Sequence, residues 1–336
     1  MRNDARSDVW KVWLYAAAAV WLGAWMTPLL YNAGKALAEV SQSKTTNGPL
    51  EWLAGVCRMA DFPWFYKVGL ALAALVLFFP WMEWIHARRG TPAEGTGPWR
   101  LRLPDGARME RRGQWLVKNP QGLWHGCAGF LLAAGLLLSM GVALVPAGFF
   151  TMRQPDTGML ELALKSLAAA CAMALGMEVF FRGIVMGIFL RAMRPAAALG
   201  MSAAFFALVL AVIPRPGIHL ADAEAGRAGF ELLRVMASRF ADWRSVLGFF
   251  APLLALGVVL AYARWRTASL WLPVGLHAGW WFAKNLLAGV SMAAAGSDVS
   301  GNLLQHGLIP LFAILIAGVL AHYLTATQDD AHAVRS

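Results

Sequence analysis

The chain is 336 residues long, 59% of them hydrophobic and only 14% charged, with a mean hydropathy of +0.54. No single soluble core needs that much apolar surface, so composition excludes a soluble globular domain and points to a polytopic membrane protein. The formal net charge of +10 does not indicate nucleic acid, because the Arg and Lys residues cluster beside apolar stretches, where membrane orientation accounts for them.

A crossing helix needs about 20 apolar residues. Eight stretches qualify: Val12 to Leu30, Val68 to Ile85, Leu123 to Val145, Leu160 to Phe181, Ala196 to Ile213, Val246 to Ala263, Leu270 to Leu287 and Leu303 to Leu324. The expected fold is therefore all-α, a membrane bundle of about eight helices. Arg2, Arg6 and Lys11 precede the first stretch as they would a signal peptide, but its length and the lack of a cleavage site mark a retained anchor. Basic residues crowd the segment from Arg88 to Lys118, and Arg191, Arg194, Arg264 and Arg266 follow spans four and six. The positive-inside rule puts all of these, with both termini, on the cytoplasmic side.

The connections from Tyr31 to Lys67 and from Pro214 to Arg244 then lie outside, the second with a short interfacial helix around Phe230 to Arg239. Turn residues between Gly90 and Gly106 suggest a small strand-like excursion on the basic segment. Cys57, Cys127 and Cys171 show neither metal-ligand nor disulfide spacing and read as packing residues. Most tryptophans, Trp81 among them, fall near span ends, where an interfacial belt belongs. The chain divides into an N-terminal membrane region (1–122), a core (123–290), and a last span with its tail (291–336).

Chemistry concentrates in the core. Glu178 and Arg182 are one helical turn apart at the end of span four, so carboxylate and guanidinium face the same side. A carboxylate near the bilayer centre costs about 2.5–3.5 kcal/mol on insertion scales and normally faces a bundle interior. A helix-locking ion pair without chemistry accounts for the two equally well. Lys165 lies one turn from Glu161, a spacing for a pair near the surface. Downstream come Ser202-Ala-Ala-Phe205-Phe206-Ala207-Leu208-Val209-Leu210 and Ser269-Leu-Trp-Leu-Pro-Val-Gly-Leu-His277-Ala-Gly-Trp280-Trp281. Gly176, Gly183, Gly187, Gly275 and Gly279 allow helices to approach closely around them.

The order and wording of these three phrases, over roughly Leu160 to Leu287, resemble the CPBP family of intramembrane proteases, which includes type II CAAX prenyl endopeptidases and bacteriocin-processing or immunity proteins. That resemblance implies a catalytic group of Glu178, Arg182 and His277, with Phe206 and Trp280 lining a cavity. It implies a membrane-embedded or lipidated peptide as substrate, the bilayer as the other partner, and no nucleic acid. The family pattern, Glu-Glu-x-x-x-Arg, then Phe-x-x-x-His, then His-x-x-x-Asn or a variant, is met only in part. Met177 stands for the first Glu, Leu210 for the second-motif His, and Trp281 at the variable last position. A thioether takes no proton from water and a leucine neither ligates nor donates, so weak or absent peptidase activity follows. Zinc, which the resemblance permits, is left with Glu178 and His277 where three protein ligands are usual. Two other readings stand beside this one: an active endopeptidase using Glu178 and His277, and a transporter or channel lined by the polar pair.

Overall fold

A computed structural model describes residues 2–43, 48–85, 121–155, 158–214, 218–293 and 308–333. The basic segment with its expected excursion lies outside the described residues. Helices account for nearly all of the described chain, and the all-α expectation holds. In order they are α1 (Arg2–Ser43), α2 (Gly48–Met59), α3 (Phe62–Trp84), α4 (Gly122–Ala143), α5 (Met159–Glu178), α6 (Met186–Ala192), α7 (Pro195–Ala211), α8 (Ala228–Ser238), a single turn α9 (Trp243–Ser245), α10 (Ala251–Thr267), α11 (Trp271–Val290) and α12 (Leu308–Ala333). Two short strands, β1 (Phe150–Met152) and β2 (Ser291–Ala293), form an antiparallel ribbon that the sequence did not announce.

The described parts of the expected spans fall mainly on helix, and length and apolarity support five crossings among the described residues: Arg6–Ser43, Phe62–Trp84, Gly122–Ala143, Met159–Ala192 and Trp243–Thr267. Pro195–Ala211 and Ile309–Thr325 are apolar but shorter. The chain is an integral membrane protein.

The described chain forms two compact units. One comprises Ser7–Arg88 and Leu208–Ser245. Its first connection is not the long loop expected from Tyr31 to Lys67: α1 continues to Ser43, and α2 fills most of the remainder before α3. Lys35 explains how α2 ends, because its Nζ donates to the carbonyls of Cys57, Arg58 and Ala60 at 3.1, 3.2 and 2.8 Å, a cation on the negative end of the helix. Asp61 caps α3 by accepting from the Trp64 N–H at 2.9 Å. The expected helix around Phe230 exists as α8, and its Ala228, Leu232 and Met236 pack on Ala24, Phe62 and Tyr66. Trp81 is buried, stacked on Tyr15 and donating to the Lys11 carbonyl at 3.0 Å, so it is a packing residue rather than part of a belt.

The other unit comprises Met1–Arg6, Arg89–Ala207 and Val246–Ser336. At its centre α4 and α11 run parallel, joined through small residues. A Cβ on Gly275 would collide with the Gly126 carbonyl, one on Gly279 with the Phe130 carbonyl, and one on Gly129 would meet Leu272 O at 2.9 Å. The expected close approach therefore holds for Gly275 and Gly279. It fails for Gly176, which faces open space, and at Gly183 the nearest neighbours are 3.9 Å away, an ordinary contact. Cys57 is buried, whereas Cys127 and Cys171 lie on exposed helix faces, which corrects the reading of all three as packing residues.

α5 lies antiparallel to α11, with Leu162 against Gly289 at one end and Glu178 beside His277 further along. Gly275 and Gly279 face α4, and a residue two positions on is rotated by about 200° at 3.6 residues per turn. His277 and Trp281 therefore point away from α4, toward the end of α5.

Gly279→Val should lower stability by about 1–3 kcal/mol, because neither backbone at the α4–α11 contact can yield to a new side chain. Gly176→Ala, set in open space, should leave it within about 0.5 kcal/mol. Denaturant titration of the two variants in the same detergent measures the contrast.

Candidate functional site

Glu178 ends the regular part of α5, and the next seven residues, Val179–Val185, form a π-helical turn in which the Met186 N–H reaches back five residues to Phe181 O. Such insertions often mark functional positions, because the extra residue re-aims the side chains on either side of it. Here the turn carries Arg182. Its Nη1 donates to Glu178 Oε1 at 3.0 Å, and its Nη2 donates to the Gly257 carbonyl on α10 at 3.2 Å. Gly257 packs against Ala203 of α7 so closely that a Cβ would meet its Cα and carbonyl oxygen at 3.0 Å. Absence of a side chain there brings the α10 backbone in among the helices around the guanidinium.

The guanidinium lies 4.1 Å from the Phe206 ring centroid and 5.8 Å from that of Phe181, so aromatic faces cover it. Phe206 also meets the His277 ring edge-on, with centroids 5.9 Å apart. Glu178, Arg182 and His277 are fully buried. An ion pair this dry stays charged only when geometry and further hydrogen bonds offset its desolvation. Arg182 spends two nitrogens in this way, while Glu178 Oε2 and Arg182 Nε have no hydrogen-bond partner among the described residues.

Glu178 Oε1 also meets His277 Nδ1 at 2.7 Å, and Trp281 Nε1 lies 3.0 Å from His277 Nε2. An indole N–H only donates, so Nε2 must accept and cannot carry a proton. The proton of the neutral ring then sits on Nδ1, which donates to the Glu178 carboxylate. The chain of donation runs from Trp281 through His277 to Glu178, and Arg182 supplies the positive charge. Lys284 Nζ stands 3.7 Å over the Trp281 ring, adding a cation to the indole's outer face.

Of the residues singled out in the sequence, Glu178, Arg182, His277, Phe206 and Trp281 come together. Trp280 is buried on α11, and it is Trp281 that bonds the imidazole. Met177, the residue before Glu178, is half-buried. Leu210 lies one turn beyond Phe206 on α7, half-buried, and belongs to the other compact unit. The sequence reading missed Gly257 and Lys284; the only signal for Lys284 was its three-residue spacing from Trp281.

The donor set does not suit zinc. No group of three or more His, Cys, Asp or Glu able to hold a metal occurs among the described residues. His277 has one ring nitrogen on Glu178 and the other on Trp281, which leaves no imidazole lone pair to give.

Removing Arg182 alone (Arg182→Met) should destabilise the protein by about 3–5 kcal/mol, because it strands the carboxylate. Adding Glu178→Gln should recover part of that loss, a coupling read from a double-mutant cycle of unfolding. The tautomer is a separate expectation. Nitrogen NMR of the labelled imidazole should show a single form protonated at Nδ1, and Trp281→Phe should keep that proton on Nδ1 while shifting the Nε2 signal, which loses its hydrogen bond.

Residues 159–283 match the family model described as type II CAAX prenyl endopeptidase Rce1-like. No curated protein and no solved structure matches the chain. The matched segment spans α5 to most of α11, and so contains Glu178, Arg182, Phe206, Gly257, His277 and Trp281. The match over residues 159–283 marks this segment as similar to an Rce1-like domain and, with the three motif phrases, supports membership of the CPBP family.

Proposed function

We propose that this chain keeps the scaffold of an intramembrane protease but not its hydrolytic chemistry, and that it binds or shields a membrane-embedded or lipidated peptide segment in a peptide-binding or immunity-like role. It does so in a bacterial cytoplasmic membrane with both termini on the cytoplasmic side. The observation that carries the reading is the Trp281 N–H on His277 Nε2. An imidazole whose acceptor nitrogen is already occupied cannot take a proton from water or donate from that nitrogen to an oxyanion.

Other features support the same reading. Glu178 Oε1 is shared between Arg182 and His277, and the group is fully buried. Met177 offers no base, and Leu210 no imidazole. General-base help is worth about 10²–10⁴-fold and one oxyanion donor about 10²–10³-fold, so the combined loss removes nearly all peptidase rate. What remains is a rigid polar pair inside an apolar bundle, suited to holding helices apart at a fixed spacing for a guest segment.

Purified protein in liposomes, offered a quenched peptide library, should cleave nothing above background. Cleavage that disappears with Glu178→Gln and with His277→Ala would overturn the proposal in favour of an active endopeptidase. Restoration gives a second measurement. Met177→Glu with Leu210→His should stay near background while Trp281 remains, and adding Trp281→Asn should raise the rate by at least about tenfold.

A further inference from the structure

We propose that the end of the Rce1-like unit opposite the β-ribbon binds the phosphate of an anionic lipid headgroup, with Arg264 as its principal ligand. The topology puts the relevant residues at one end. β1 follows α4, β2 follows α11, and α5 starts shortly after β1, so the C-termini of α4 and α11 and the N-terminus of α5 share the ribbon end. α11 begins at Trp271, just after α10 finishes at Thr267, so the C-terminus of α10 lies at the other end, as does that of α6. Arg182 and the Gly257 carbonyl hold the two helical runs level with each other midway. From that level Arg191 lies nine residues further on and Arg264 seven, or about 13 and 10 Å at 1.5 Å per residue.

Four arginines therefore gather at this end: Arg191 and Arg194 beside the α6–α7 turn, and Arg264 and Arg266 in the last turn of α10. The described side chains of these segments include no carboxylate. Arg264 is the exceptional member. Only 5% of it is exposed, and its Nε has no hydrogen-bond acceptor among the described residues. The contrast with Arg182 is direct: that guanidinium, equally buried, has Glu178. The neighbouring Trp265 Nε1 is a second buried donor without an acceptor among the described residues.

A buried guanidinium without a counter-charge costs several kcal/mol, which an incoming anion offsets. The planar fork of arginine fits two oxygens of a phosphate, and an indole N–H suits a third. Because α10 is a spanning helix, its end lies at the depth of the headgroups, and juxtamembrane basic clusters attract anionic lipid. A lipid phosphodiester thus reaches Arg264 more readily than a soluble anion, although free phosphate shares the chemistry.

Native mass spectrometry of the full chain, released from detergent with phosphatidylglycerol or phosphatidylcholine, tests the assignment. Phosphatidylglycerol should be retained in preference, and Arg264→Gln should reduce that retention roughly tenfold, the scale of one lost charge-assisted hydrogen bond. Arg153→Gln, at the ribbon end, should not. Retention that persists in excess inorganic phosphate assigns the site to the headgroup; displacement assigns the same site to free phosphate. Equal retention of the two lipids by the wild-type chain overturns the proposal even if Arg264→Gln does not fold. Equal phosphatidylglycerol retention by wild type and a folded Arg264→Gln variant overturns it as well.

Discussion

A carboxylate with no access to water must be met by the protein itself, and Glu178 sets that demand at the middle of the Rce1-like unit. One oxygen, Oε1, accepts a hydrogen bond from Arg182 and another from His277, which joins α5, the π-helical turn and α11 through a single atom. Arg182 extends the link to α10 through the Gly257 carbonyl, and Phe206 brings α7 against the guanidinium. Most of the helices of this unit thus converge on one anion. The same convergence buries Glu178, Arg182 and His277 completely within the helices.

Packing and chemistry are separated on α11 by helical rotation alone. Gly275 and Gly279 give one face to α4 with backbone against backbone, while His277 and Trp281, two residues on from each, occupy the other. The glycines fix the axis and the imidazole inherits its position from it. Trp281 then decides what the imidazole can do, since an indole N–H on Nε2 fixes the tautomer that donates to Glu178.

Much of this was legible in the sequence because it rests on short-range rules. The one-turn spacing of Glu178 and Arg182 predicted their contact, and the apolar runs predicted helix, on which their described parts mainly fall. The pairing of Lys165 with Glu161, at 2.6 Å, followed from the same spacing. What stayed hidden depends on geometry between elements. Gly257 is one glycine among many, and nothing local says that its carbonyl meets an arginine. The π-helical turn leaves no compositional mark, and the three-residue strands are too short for an alternating pattern. Length and apolarity single out five crossings among the described residues, and α11, which carries His277, Lys284 and Asn285, is not one of the five.

The small ribbon has a mechanical meaning. Phe150 pairs with Ala293 and Met152 with Ser291, while the Arg153 N–H and its Nε donate to the carbonyls of Val290 and Gly289 at 2.8 and 3.2 Å. A shift of one residue would turn each strand over and break these bonds. α5 and α11 are therefore clamped against axial sliding at the point where one starts and the other stops. The vertical offset of acid and imidazole is thus tied to a fastening several helical turns away from them.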